Sequence, residues 1–492
     1  MGITMSNKKK SEPIISTSSK VTDNPKYLPD RDHPMSIDGE FTIAVVGDIV
    51  QTRMIAQLDD AAVSAALEPI RNSDFAIGNL EQAICDWRKF DGHHYGVGAF
   101  MIMAHPSIAD DLAAMGFGLL SRANNRLSDF GAEGNRATDS HLRRVGIQPV
   151  GFGEHLSDAR APVYVDTKKG RIAAIAATSS FQPGGEKAFS AAARIGNSNG
   201  RPGVNSLHVN RTITLPPKAW ALLNELVREA SYAFPLNYAI QGGLTVYEER
   251  IQILHNTYIP GEEASYQYTA DRSETEVLMK EIRNAAAYSN FTIFTFHSHQ
   301  WSIDADDPLG GFHGETNEPP DFLESLGKEA IDNGADMFCV HGPFDFRAIE
   351  IYNGKPIFYG LGSFIRQPYL QEYIPWETYS AHTFAGHHYE SVNPIDTTIP
   401  DVEFLTTRTG RHPARYFKGA SVSCDYRDSR LQRLTIHPVD LGIDGPLSDL
   451  GTPRKAGRKR SEEILHSIAE YSAKFGTKVL MSDGLGIIEI ES

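Results

Sequence analysis

The chain is poor in cysteine: it has three in 492 residues (Cys85, Cys339 and Cys424), widely spaced and without a C-x-x-C pair. That spacing excludes a disulfide framework and a structural zinc site, and so low a count suits a reducing compartment. There is no run approaching the roughly 20 continuous apolar residues of a membrane helix. No apolar stretch near the start has the form of a secretory signal, so the expected location is the cytoplasm with no membrane partner. Positive charge is in deficit, with Lys+Arg 47 against Asp+Glu 62 and a net charge of -15. That balance excludes the clustered cationic surface on which nucleic-acid binding rests. No internal repeat and no H-E-x-x-H motif occur.

What is present is ordinary globular material, 41% hydrophobic, enough for a sizeable core. Residues 1–40 are polar and turn-forming, and are expected to form a flexible tail or a strap lying on the domain. Order is expected from Phe41, where Phe-Thr-Ile-Ala-Val-Val-Gly-Asp48 reads as a buried strand. Strands near 74–78, 117–121, 162–166 and 171–177 alternate with helices near 54–71, 105–115 and 135–145. That alternation predicts α/β layering around a mixed sheet. From about 181 to 272 the chain carries Gly, Pro and Asn clusters, one helix over 217–230 and few strand signals, and reads as an insertion. Ser273-Glu-Thr-Glu276 has the form of a capping box, opening a helix that leads into the strand 291–297. A helix after Pro319-Pro320 leads into 336–341, and Asn353-Gly354 marks a hairpin turn. Residues 366–416 form a second irregular, aromatic and histidine-rich insertion of the kind that serves as a lid or binding loop. Strand pairs near 418–438, a helix near 460–474 and a last hairpin close a single domain spanning 41–492.

The chemistry lies at the strand ends. Five apolar strands hand over in turn to Asp48, to Asn79-Leu80-Glu81, to Arg122 through Asp129, to His297-Ser298-His299 and to His341. The carboxyl end of an α/β sheet is where ligands bind. Carboxylate, amide and imidazole donors there suit a divalent ion such as Mn, Zn, Fe or Ca better than a redox copper or an iron–sulfur centre. Each residue has a structural reading beside this one: Asp48 as a helix cap, Glu81 as a surface ion pair, Asn125 as a turn residue, His297 and His341 as satisfied core histidines.

These residues resemble the CapA family of poly-γ-glutamate capsule synthesis proteins, within the calcineurin-like metallophosphatase group. The resemblance is carried by V-V-G-D-I (Asp48), G-N-L-E (Glu81), A-N-N-R-L-S-D-F-G (Asn124 to Gly131), H-S-H-Q (His297 to Gln300) and R-P-G-V-N (Arg201 to Asn205). The run from Ala330 through H-G-P-F (His341 to Phe344) to G-S-F (Gly362 to Phe364) extends it. It implies a metallophosphatase-like two-sheet sandwich flanked by helices, with Asp48, Glu81, Asn125, His297 and His341 as metal ligands. Asn124 competes with Asn125 for that role. Departures from the family pattern fall at Arg126 and Phe344, where histidines are usual, and Val50 stands where ordinary metallophosphatases have the histidine of D-x-H, which disfavours a full two-metal clamp.

Arg126 is then either a bidentate clamp for a substrate anion or a structural ion pair. His299 is an acid/base candidate, a second-shell group or another ligand. Arg201 is read as anion-binding or loop-stabilising. The stretch Gly311 to Glu315 and the cluster His382, His387 and His388 are candidates for covering the site. The expected function is a metal-dependent enzyme acting on a small anionic or peptide-like substrate. Amide or ester hydrolysis leads, and epimerase or lyase chemistry is open on the same site. The alternatives are a non-catalytic capsule-assembly protein with a degraded metal site, or a phosphoesterase.

Overall fold

Along the first strand, Glu40–Val50, Phe41, Ile43 and Val45 face one core while Ala44 and Val46 face another. This is the two-residue period of a strand covered on both sides. The structure, a computed structural model, describes residues 36–92, 101–181, 189–229, 244–253, 256–303, 315–368 and 414–490. In it the first strand lies between Phe75–Leu80 and Lys418–Arg427 in a sheet of ten described strands. Leu119–Ser121 and Gln148–Val150 extend that sheet in parallel on one side. The antiparallel hairpin Lys418–Arg427/Arg430–Asp440 and the final strand Leu485–Glu489 extend it on the other.

A second sheet of six described strands is centred on Phe291–His297, which pairs in parallel with Met337–His341 and with Arg171–Thr178. The two sheets bury one core between them, joining Ile43, Val45 and Ile77 to Ala174, Ile293 and Met337. Helices Ala61–Arg71 and Ser107–Met115 cover the outer face of the first sheet. Helices Arg272–Ala287 and Asp321–Asp332 cover the second. The result is the two-sheet α/β sandwich flanked by helices. Among the described residues, no helix is long and apolar enough to cross a membrane.

Several local expectations shift. The helix expected from 54 begins at Ala61, because the Asp60 carboxylate accepts from the Ala62 and Val63 amides at 2.8 and 3.2 Å and caps it there. Asp271, not Ser273, caps the helix Arg272–Ala287, accepting from Glu274 N at 2.9 Å. Glu274 instead reaches His208. The insertion at 181–272 carries, besides the helix Pro217–Glu229, a five-stranded sheet that includes Val209–Leu215 and Ser265–Ala270. Its strands are half-exposed and rich in Thr, Asn, Gln and Tyr, so they show no apolar run. Ile37, four residues ahead of the expected start of order, is buried in the inter-sheet core and donates its amide to Ser429 Oγ at 2.7 Å. Residues 1–35, most of the segment 366–416 and the histidines 313, 382, 387 and 388 lie outside the described residues.

The first strand also shows why Gly47 precedes Asp48. A Cβ at Gly47 would stand 1.8 Å from the carbonyl oxygen of Gly362, in the loop feeding the neighbouring strand Ser363–Arg366. Gly47→Ala is therefore expected to cost at least about 3 kcal/mol, read as a fall in the urea midpoint at unchanged slope.

Candidate metal centre

Parallel register brings the donors level. Asp48 pairs with Asn79 in the first sheet, and His297 pairs with His341 in the second. The two sheets therefore bring their carboxyl ends to one place. Glu81 follows its strand directly and is anchored by its own amide, which donates to Ile49 O at 3.0 Å. Asp48 and Glu81 are each 1% exposed, His297 0% and His341 2%, so none of them is a solvated surface group.

The compact group is Glu81, His297 and His299, whose ligating atoms all lie within 4.8 Å of one another. Glu81 Oε1 is 3.7 Å from His299 Nε2 and 4.0 Å from His297 Nε2. Neither Glu81 carboxylate oxygen has a hydrogen-bond partner. Nor do His297 Nε2, His299 Nε2, both ring nitrogens of His341, or Asn125 Oδ1. Buried polar atoms are rarely left unsatisfied, and a buried carboxylate without a hydrogen bond is costly. These orphaned oxygen and nitrogen atoms are of the kinds that hold a divalent cation, and the residues present fit one.

Asp48 is held differently. Its Oδ1 accepts from Asn79 Nδ2 at 2.8 Å and its Oδ2 from Gly342 N at 3.0 Å. Burial pushes its carboxyl well above the ordinary carboxylate range, and the Glu81 charge adds to that. The same Asn79 nitrogen lies 3.2 Å from His297 Nδ1, so one amide orients both candidate ligands. Burial holds His297 far below the ordinary histidine value, helped by His299, His341 and Arg126. Burial alone pulls His341 down to about 3. Both imidazoles are therefore neutral at physiological pH and carry a lone pair for a metal.

Of the two asparagines the sequence left competing, Asn124 is already engaged. Its Nδ2 donates to Asn79 Oδ1 and Leu80 O at 3.1 and 2.9 Å, and its Oδ1 caps Arg126 N at 3.0 Å. Asn125 keeps the open, buried oxygen. Arg126 stands between two buried carboxylates, with Nε 4.0 Å from Glu81 Oε1 and Nη1 3.5 Å from Asp129 Oδ2. This is the ion-pair geometry that was one of its two readings. Arg201 is exposed, bridges to Ala192 and donates from Nη2 to Ser190 O at 3.0 Å, a contact that braces its loop.

Three further residues belong to the site. Asn79 was visible in G-N-L-E as a polar residue inside an otherwise apolar strand. Asp129 has its carboxyl pushed up to about 7 by burial against the pull of Arg126. Phe344 adopts a left-handed backbone (φ 57) that a bulky residue takes only under strain. Its ring lies 5.2 Å from that of His299 and 4.3 Å from the Arg366 guanidinium.

Gly342 is a second place where only glycine fits. Its φ is +109, and a Cβ there would meet the His297 ring at 3.1 Å and Ser298 O at 3.0 Å. Gly342→Ala is expected to displace His297, weakening metal binding at least tenfold and costing about 1–3 kcal/mol. Isothermal titration and a urea melt read the two effects separately.

The match to the model of the bacterial capsule synthesis protein PGA_cap covers residues 42–368, which contain every candidate ligand above. Two uncharacterized proteins of Sinorhizobium fredii, y4sH and y4uA, are each 32% identical over 470 residues, covering 92% of this chain and 94% of theirs. The capsule biosynthesis protein CapA of Bacillus anthracis is 20% identical over 338 residues, 66% of this chain and 60% of that protein. The PGA biosynthesis protein CapA of Bacillus subtilis is 22% identical over 333 residues, 67% of this chain and 64% of that protein. A family match over most of the chain, with near full-length relatives, makes this protein a member of the bacterial capsule synthesis (PGA_cap, CapA) family.

Proposed function

We propose that this protein is a divalent-metal-dependent enzyme of the CapA type, acting on a small anionic or peptide-like substrate, most fittingly by hydrolysis of an amide or ester. The observation that carries this reading is the buried Glu81 carboxylate, without a hydrogen bond, facing two imidazoles at 3.7 and 4.0 Å. Glu81, His297 and His299 would hold the ion, with Asp48, Asn125 and His341 as further donors. The imidazoles favour Mn, Zn or Fe over Ca. Such an ion supplies Lewis-acid polarisation of a carbonyl or phosphoryl oxygen.

The chain's own residues divide the remaining work. Asp129, with its carboxyl near neutrality, is able to hold or release a proton beside Arg126. The Arg126 side chain, 15% exposed, is the cation through which an anionic substrate is drawn toward Glu81. Family membership connects the chain with capsule biosynthesis, and an amide-bonded, carboxylate-rich polymer or a fragment of it matches both the proposed bond and the proposed charge. Proton abstraction next to a polarised carbonyl is the second reaction the same groups support.

The test is elemental analysis of protein stripped with chelator and then dialysed against Mn or Zn, followed by turnover of amides, esters and phosphate esters. Wild type is expected to retain at least one ion per chain and His297→Ala to retain none. Stoichiometric metal with amide or ester turnover supports the proposal. Turnover of phosphate esters alone would make the protein a phosphoesterase. No retained metal would leave the non-catalytic assembly reading.

A further inference from the structure

Neither carboxylate oxygen of Glu81 is hydrogen-bonded, so the placement of this side chain depends on the backbone that carries it. One buried guanidinium grips that backbone on both sides. Arg122, 1% exposed, donates from Nη1 to Leu80 O at 2.9 Å and to Gln82 O at 2.8 Å, the carbonyls of the residues flanking Glu81. Its Nη2 donates to Asn135 Oδ1 at 2.9 Å. Asn135 Nδ2 in turn holds Leu127 O and Gly131 O at 2.7 and 2.8 Å, bracing the short 3-10 helix Asn125–Ser128. The planar fork thus spans two segments separate in sequence, one carrying Glu81 and the other Asn125 and Arg126.

Keeping a cation there is expensive. The nearest carboxylate, Asp139, is 3.5 Å from Nε, and burial pulls the guanidinium below its ordinary value. Well-packed apolar residues usually serve stability as well as or better than a buried ion pair. The fork geometry, which lysine lacks, is what the position gains.

We propose that Arg122 is a positioning residue of the metal centre, fixing Glu81 relative to Asn125. The inference rests on the reading of those two residues as ligands. Groups around a metal site that orient its ligands typically alter affinity 10–100-fold when changed.

Three variants test it. Arg122→Lys keeps the charge beside Asp139 but loses the fork. Arg122→Gln combined with Asp139→Asn removes the ion pair as a unit, in case the lysine variant does not fold. Leu142→Ala, a cavity in the helix that also carries Asn135 and Asp139, is the control for simple loss of stability. Mn²⁺ affinity is measured by titration, and hydrogen exchange of the Glu81 amide on metal-free protein, at a temperature where all variants are folded. The expected result is Mn²⁺ binding weakened at least tenfold and Glu81 amide exchange accelerated at least tenfold in the Arg122 variants. Leu142→Ala should leave affinity within twofold. Arg122 variants that exchange and bind like wild type, or a control that loses affinity equally, overturn the proposal. If wild type binds no Mn²⁺ or Zn²⁺, the metal reading falls, and the exchange measurement alone decides whether Arg122 positions Glu81.

Discussion

Replacing Glu81 with glutamine is expected to abolish retention of a divalent ion and, in the metal-free protein, to raise stability by about 1–2 kcal/mol. The two effects have one source. Glu81 is 1% exposed, accepts no hydrogen bond, and adds its charge to the forces already driving the Asp48 carboxyl upward. Glutamine keeps the shape, removes the charge and relieves the repulsion on Asp48, which outweighs the loss of the long 4.0 Å ion pair with Arg126, since that guanidinium keeps Asp129 at 3.5 Å. It also removes the anionic oxygen that a cation needs beside His297 and His299. A stabilising substitution that destroys binding is the signature of a site kept at the expense of stability.

The check is a pair of urea melts in chelator, with metal content measured on the same preparations. A more stable, metal-free Glu81→Gln protein fits the expectation. A variant less stable than wild type in chelator would mean that Glu81 is satisfied by the protein itself. A variant that keeps its metal would remove Glu81 from the ligand set. With saturating metal the order should reverse, because only wild type gains the binding free energy.

Much of this centre was legible because strand ends are legible. Asp48, His297 and His341 each close an apolar run, and parallel register carries them to a common level. The sandwich follows from the same runs, since strands apolar on both faces must be covered on both. What was not legible depends on approaches between distant segments. Asn79 orients Asp48 and His297 only because the two sheets meet there. Arg122 looked like one more charged residue after a strand, and its value lies in two carbonyls some forty residues earlier. His299 was open among three roles in the sequence, and only the fold brings its Nε2 to 3.7 Å from Glu81 Oε1. The sheet inside the 181–272 insertion was missed for the opposite reason: half-exposed strands have little apolar pattern to read.

The buried His341 imidazole should cost the metal-free protein stability in acid well above the pH at which ordinary carboxylates titrate. His341 is fully buried, with its folded value pulled to about 3, against about 6.5 for an unfolded histidine. Between those limits the unfolded chain binds a proton that the folded one refuses, so stability is lost as pH falls from about 6.5 toward 3. One such imidazole contributes about 1.4 kcal/mol per pH unit, to a total of the order of 5 kcal/mol. His297 is depressed by the same burial and adds in the same direction. Asp48 opposes them: its raised value adds stability at low pH that is lost as pH rises through its folded value. Asp129 and Asp139, pushed up by burial to about 7 and about 6, oppose them as well, so the contribution of His341 is read as a difference between wild type and a variant that lacks it. Urea midpoints in chelator at pH 7.5, 6 and 5 should therefore depend on pH by about one proton more, in the direction of weakening with acid, for wild type than for His341→Gln. An ion held as proposed would occupy the imidazole lone pairs and turn the same protons into competitors for the metal, so metal affinity should fall over the same window. Parallel curves for wild type and His341→Gln would show that His341 takes up its proton in the folded state as freely as in the unfolded one.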